Sequence, residues 1–178
     1  MHKSLISIAL LATVAACSPA SENVAQDTAA VEAGALTQLG GTPAGPIHTA
    51  SIGDTLALSG YDAVSYFNAD GGPVEGTEEF TVNYQGYDYR FSSEENAKTF
   101  SADPAKYAPQ YGGYCAWAIG ANDALAPGDP NVYKIVDGKL YLNFSEGVAE
   151  RWNKDIPGFI EKGDVNYPTH SPDEHFTS

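Results

Sequence analysis

Cys115 is the side chain with the most versatile chemistry in the part of the sequence predicted to fold. It follows Gly112-Gly113, where a short helix can begin, and the dipole of such a helix would lower the pKa of the thiol. A thiolate at this position suits a soft metal ion, with Cu(I) the best match, or thiol redox chemistry. The alternative is an inert buried thiol, because free cysteine is among the most buried residue types.

One thiolate holds a metal weakly, so further ligands are needed. Asp62 is the best candidate for a second metal ligand, although an Asx-type hydrogen bond within its Gly-Tyr-Asp turn is the usual use of such a residue. Aromatic side chains that would line a ligand pocket near Cys115 are the other candidates, and a place in the hydrophobic core is their alternative. They are Tyr61, Tyr66, Tyr111, Tyr114 and Trp117.

Histidine is absent from residues 51–168, which argues against a Ser-His-Asp hydrolase and against a Cys-His nucleophile pair. His48 precedes this segment, and His170 and His175 follow it. The pair in the tail, with Asp173 and Glu174 between them, could bind a metal loosely, but solvated side chains are expected there. The sequence also has no phosphate-binding glycine motif, zinc-type cysteine cluster or EF-hand loop. These observations favour binding over catalysis.

The first residues have the three parts of an export signal. His2 and Lys3 are followed by about ten mostly apolar residues, too few for a membrane span of roughly 20. The sequence Val-Ala-Ala before Cys17 resembles a bacterial lipobox. We therefore predict a signal peptide over residues 1–16, a lipid anchor on Cys17, and a location in the cell envelope. Ser18 favours the outer membrane, with the protein facing the periplasm.

The charge of the chain excludes one class of partner. Cleavage removes Lys3 and no acidic side chain, which leaves 8 basic against 23 acidic side chains and a net charge of −15. Such a surface repels nucleic acid and anionic headgroups, so the lipid is the only predicted membrane contact. Because lipid occupies Cys17, Cys115 has no partner for a disulfide within the chain.

Composition divides the rest of the chain into three parts. Residues 17–50 contain no Phe, Tyr or Trp and are rich in small and polar residues, which predicts a flexible tether. Residues 51–168 are rich in aromatics and long enough for one domain. Residues 169–178 are expected to form a polar tail.

Turn and cap signals within residues 51–168 predict the elements. Alternating segments flank Gln85-Gly86 and Asp137-Gly138, which predicts two β-hairpins. Ser93 is a predicted helix cap, and further helices are expected over 148–155 and from Pro157 to Ile160. Residues 55–58 are predicted to form a short strand. The expected fold is α+β, a single small domain with antiparallel hairpins packed against short helices.

Six sequence motifs are distributed over most of residues 60–168. They are Gly60–Phe67, Tyr84–Phe91, Ala102–Tyr107, Tyr111–Ala116, Val136–Asn143 and Trp152–Gly158. Together they resemble the YHS domain family, in particular its exported branch, and this resemblance implies the same small α+β fold.

The resemblance limits what can be expected of a metal site. YHS domains that accompany heavy-metal transport ATPases are thought to handle metals through a cysteine pair, and the matching positions here are Ser92 and Asn96. The leading hypothesis is a non-enzymatic binding protein for a transition metal such as copper, with Cys115 and Asp62 as ligands. The alternatives are a thiol redox protein using Cys115, and a lipoprotein that binds a small molecule or a periplasmic protein and keeps Cys115 inert.

Overall fold

The computed structural model describes residues 37–176, which contain five strands and five α-helices. The predicted signal peptide, Cys17 and the first part of the predicted tether lie outside these residues. Within residues 37–176, every helix is too short or too polar to cross a membrane.

The elements alternate between hairpins and short helices along the chain. The strands are β1 (Thr37–Leu39), β2 (Thr77–Tyr84), β3 (Tyr87–Phe91), β4 (Asp129–Val136) and β5 (Lys139–Asn143). The helices are α1 (Glu94–Ala102), α2 (Pro104–Tyr107), α3 (Ala116–Asn122), α4 (Glu146–Trp152) and α5 (Ile156–Asn166). The predicted α+β class is confirmed.

Both predicted hairpins are present. Strands β2 and β3 pair antiparallel around Gln85 and Gly86, whose φ angles of 56° and 90° are the positive values that a tight two-residue turn requires. Strands β4 and β5 pair in the same way around Asp137 and Gly138, at 49° and 74°. In both hairpins the turn residues set the register of the strands.

The helices follow their predicted signals with two differences in extent. Ser93 caps α1, since its side-chain oxygen accepts a hydrogen bond from the Asn96 amide at 3.2 Å. Helix α4 begins two residues and ends three residues earlier than expected, and α5 continues to Asn166. Residues 55–58 are not a strand, because Leu56 makes only an isolated bridge to Asp88 before the chain enters a 3₁₀ turn.

Two hydrophobic clusters share strand β5 as their common wall. Leu140 and Leu142 face the first cluster and Tyr141 faces the second, as expected from the alternation of side chains along a strand. The first, the hairpin core, is built mainly on Ala63, Val64, Tyr66, Val82, Tyr89, Phe91 and Phe100. The second, the helical core, contains Tyr111, Tyr114, Ala116, Ile119, Tyr141, Trp152 and Tyr167.

The prediction of a flexible tether is wrong for residues 37–50, which belong to the fold. Strand β1 pairs in parallel with β2, and Ile47 is buried in the hairpin core. The chain also runs close over Gly112, where any side chain would collide with the Pro46 carbonyl oxygen. The apolar residues of this segment are too sparse to predict a strand, and they find partners only in the tertiary structure.

The predicted polar tail is also packed over the residues that the structure describes. Tyr167–Thr169 forms a 3₁₀ turn after α5, and Phe176 lies against the helical core. The segment from His170 to Phe176, called here the C-terminal segment, therefore forms part of the folded surface.

Candidate functional site

Asp62 is fully buried and its carboxylate is surrounded by donors. One oxygen, Oδ1, accepts the backbone N–H groups of Val64 at 2.9 Å and Ser65 at 3.2 Å. The other, Oδ2, accepts the N–H of Ser92 at 2.9 Å, the hydroxyl of Ser92 at 2.6 Å and the side-chain amide of Asn96 at 2.7 Å. Five donors occupy both oxygens, so this arrangement favours the structural role of Asp62 over that of a metal ligand.

Cys115 is buried and is the residue immediately before α3. Its Sγ lies 3.7 Å from Oδ1 of Asn143, and the arrangement corresponds to a thiol donating to the amide oxygen. Burial raises the pKa of Cys115, and the backbone N–H groups of Ala118, Phe144 and Trp117 offset this effect only in part. The prediction of a lowered pKa is therefore wrong, although the prediction that a helix begins here is confirmed.

The aromatic candidates do not form one group around Cys115. Tyr61 and Tyr66 pack with the hairpin core, whereas Tyr111, Tyr114 and Trp117 pack with the helical core. Two of the buried hydroxyls are used within the fold. That of Tyr66 donates to the Pro130 carbonyl at 3.0 Å, and that of Tyr111 contacts Asp164 at 3.0 Å.

Metal-ligating side chains are dispersed over the described part of the chain. No group of three His, Cys, Asp or Glu side chains within residues 37–176 is close enough to hold an ion. Cys115 and Asp62 make their hydrogen bonds to different partners, Asn143 for the thiol, and Ser92 and Asn96 among others for the carboxylate.

Comparison with known protein families identifies one segment of the fold. A model of the YHS domain matches residues 68–111. The chain carries a YHS domain. No curated protein and no solved structure matches the chain. The YHS match covers β2, β3, α1 and α2, and it ends four residues before Cys115.

Ser92 and Asn96 stand at the positions that the sequence resemblance matches to a cysteine pair, and here they bind the buried carboxylate of Asp62. Ser92 and Asn96 both donate to Asp62, and the Asn96 side-chain nitrogen also lies 3.4 Å from the Ser92 hydroxyl. This part of the YHS domain therefore joins the 60–67 loop to the start of α1. Its polar atoms satisfy one another, which is the arrangement of a structural hydrogen-bond network.

The C-terminal segment brings histidines to the surface beside the YHS domain, which the sequence did not predict. His170 lies between Asp123 and Glu174, with nitrogen–oxygen distances of 3.2 and 3.1 Å. The Nε2 atom of His175 is 3.3 Å from the Thr49 hydroxyl. The available signal was the density of His, Asp, Glu and Phe in a segment otherwise predicted to be solvated.

A cleft of about 450 Å³ lies between the C-terminal segment, residues 47–55 and the β2–β3 turn, and we call it the tail cleft. Apolar and aromatic side chains share its lining with three carboxylates and one imidazole. The side chains concerned are Ile47, Ile52, Tyr87, Asp54, Asp173, Glu174 and His175. Its size and mixed lining are those of small-molecule sites, which commonly measure about 300–1,000 Å³.

Proposed function

We propose that this protein is a lipid-anchored binding protein of the cell envelope, held through Cys17 at the outer membrane and facing the periplasm. Its YHS domain supplies one wall of a ligand site, and the C-terminal segment supplies the other. The observation that carries this proposal is the tail cleft, which combines sufficient volume with both apolar and charged lining. Cys115 is a structural thiol in this proposal.

The lining of the tail cleft favours a ligand with an apolar group and a positive charge. Ile47, Ile52 and Tyr87 offer apolar surface, and Asp54 and Glu174 offer negative charge. The mature chain carries a net charge of −15, which attracts cations and repels anions over the whole surface. An amine attached to an aromatic or aliphatic group combines both properties.

Matched probe pairs test this proposal. Ligand-observed NMR with the purified full chain compares 2-phenylethylamine with 3-phenylpropionate, which share the ring and differ in charge. We expect saturable binding of the amine and none of the acid. Equal responses, or none, would contradict the proposal.

Two exposed aliphatic residues provide matched variants for the same experiment. Ile52 lines the tail cleft and Val165 does not, and both are largely solvent-exposed, so neither change is expected to affect folding. Ile52→Ser should weaken amine binding severalfold, because each methylene group lost from the contact reduces the binding free energy by about 0.8 kcal/mol. Val165→Ser should leave it unchanged.

Copper binding is the alternative that the YHS domain supports. A metal bound by Cys115 would require the thiol to leave its buried contact with Asn143, and burial raises the pKa of the thiol. The same properties argue against the thiol redox alternative. A Cu(I) titration distinguishes these cases: binding of one equivalent that Cys115→Ser abolishes would replace the tail cleft with a metal site as the proposed function.

A further inference from the structure

The C-terminal segment has few backbone links to the rest of the fold. Within residues 37–176 its backbone hydrogen bonds are local, from the His170 amide to the Tyr167 carbonyl and from the Glu174 amide to the Ser171 carbonyl. Four of its seven residues, Ser171 to Glu174, are exposed. Segments of this kind open at a much lower free energy than the core of the same protein. The C-terminal segment can therefore lift from the surface while the domain stays folded.

Side chains make the contacts that attach the C-terminal segment. The Nε2 atom of His170 lies 3.2 Å from Oδ1 of Asp123, and that of His175 lies 3.3 Å from the Thr49 hydroxyl. Phe176 is partly buried against the helical core. These are contacts between single side chains, so each can break without disrupting a helix or a strand.

Tyr114 lies beneath the C-terminal segment with an unmatched hydroxyl. The residue has no exposed surface, and its Oη atom has no hydrogen-bond partner within residues 37–176. Burial raises the pKa of Tyr114, and the backbone N–H of Phe176 and the carboxylate of Glu174 also act on this pKa, which places both groups close to the hydroxyl. The Phe176 N–H does not reach hydrogen-bond geometry. The C-terminal segment therefore encloses the hydroxyl without satisfying it.

The unmatched hydroxyl opposes closure of the C-terminal segment. A buried hydroxyl without a partner destabilises the state that encloses it, because the group gives up its hydrogen bonds to water. When Glu174 and Phe176 move away, water reaches the Tyr114 hydroxyl and restores those bonds. This gain offsets part of the loss of the side-chain contacts. The closed and open positions are therefore closer in free energy than the contacts alone would make them.

The C-terminal segment also forms one wall of the tail cleft, through Pro172, Asp173, Glu174 and His175. We propose that this segment is a lid, which lifts to admit a ligand to the tail cleft and closes over the bound molecule. The unmatched hydroxyl of Tyr114 keeps the open position accessible. The role of the lid in binding rests on the proposed function, whereas its movement is a property of the chain without ligand.

NMR exchange measurements on the backbone amides test the movement in the full chain without ligand. Saturation-transfer and relaxation-dispersion experiments detect an open state populated at about 0.1–10%, and we expect one for the amides of residues 171–176. Tyr114→Phe should lower the open population at least about fivefold, because it removes the hydroxyl that only the open state hydrates. Thr49→Val should raise it, because it removes the contact with His175 and conserves the shape of the side chain.

Tyr133→Phe is the matched control for the loss of a hydroxyl. The Tyr133 hydroxyl donates to the Gly71 carbonyl at 3.2 Å, and its ring packs with the hairpin core. This variant should leave the open population of the C-terminal segment unchanged. Amides that show no open state, or an open population that is the same in Tyr114→Phe and the parent, would overturn the proposal.

Saturating 2-phenylethylamine tests the link between the lid and the tail cleft. We expect the amine to lower the open population in the parent chain, because the closed lid contacts the bound molecule. Amine binding that leaves the open population unchanged would overturn the lid and leave the proposed function standing. Absence of amine binding would contradict the proposed function, and the measurements without ligand would then decide the movement by themselves.

Discussion

Asp62 and Cys115 are both buried polar side chains, and the structure gives them different surroundings. Asp62 receives five hydrogen bonds from two segments that are distant in sequence, including three backbone N–H groups. Cys115 has one weak contact with Asn143 and is otherwise enclosed. The carboxylate therefore stabilises the packing of the YHS domain, whereas the thiol fills space and is shielded from reagents.

Replacing Asp62 tests its structural role. Asp62→Ala leaves the Val64, Ser65 and Ser92 amides without the acceptor that they have in the fold, so we expect the free energy of unfolding to fall by at least about 3 kcal/mol. Urea unfolding followed by circular dichroism measures the change. The exposed Asp70 is the control, and Asp70→Ala should remain within about 0.5 kcal/mol of the parent. Similar losses for the two variants would show that the network contributes little.

Thiol labelling tests the proposed inertness of Cys115. In a chain with Cys17→Ser, a maleimide should modify Cys115 at least about a thousandfold more slowly in buffer than in urea, because access requires unfolding that costs about 5 kcal/mol or more. The raised pKa of the thiol reduces the thiolate fraction further. Rapid labelling of the native protein at mildly acidic pH would contradict this prediction and favour the metal or redox alternatives.

The contacts of the C-terminal segment with the rest of the fold include titratable groups. His170 lies between Asp123 and Glu174, and His175 contacts Thr49. Nearby, the His48 ring packs edge-on against Tyr114 with the ring centres 5.2 Å apart. The residues before and after the YHS match therefore meet at a surface rich in histidine, and this surface forms one side of the tail cleft.

His48 should make the stability of this region depend on pH. Burial, and secondarily the nearby His175, lower the pKa of His48 below its ordinary value of 6.5. Between the two pKa values the unfolded chain binds more protons than the folded chain, so the contribution of His48 to the free energy of unfolding is complete above pH 6.5 and declines as the pH falls towards the pKa of the folded state.

Urea unfolding between pH 7.5 and pH 5 checks this sign. His48→Gln removes the titration, and the decrease in stability over this range should be smaller in the variant than in the parent. An equal decrease in both proteins would show that His48 contributes nothing to the pH dependence. Both curves are referred to their own values at pH 7.5, because the substitution also removes the packing against Tyr114.

At the scale of the whole molecule, the folded unit begins before the segment rich in aromatics. Strand β1 covers the outer edge of β2, and the chain that follows it packs against the YHS domain at Ile47 and over Gly112. An uncovered β2 edge would present free backbone groups to other chains. Residues 37–50 therefore protect the sheet in addition to extending the core.

Truncation tests the contribution of this segment. The free energy of unfolding should be at least about 2 kcal/mol lower for a chain that starts at residue 51 than for one that starts at residue 37. Burial of Ile47 alone contributes about that much. It should also associate at high concentration through β2. Thermal unfolding and light scattering measure the two effects, and equal stability with no association would show that the segment only covers the surface.

The sequence by itself determined the elements that depend on local signals. Gln85-Gly86 and Asp137-Gly138 predicted both hairpins because their turn conformations are local properties of the residues, and Ser93 predicted the start of α1 for the same reason. The motifs around β2, β3 and α1 also predicted the YHS domain, which the family match confirms. The α+β class followed from the order of these elements.

Only the tertiary structure decided which side chains are available for chemistry. Burial raises the pKa of Cys115, and its thiol contacts Asn143, 28 positions away. The role of Asp62 depends on Ser92 and Asn96. The packing of residues 37–50 and of the C-terminal segment likewise requires partners far along the chain. Burial and hydrogen bonding between distant segments have no local signature, so the sequence identified the reactive residue types and the fold determined their state.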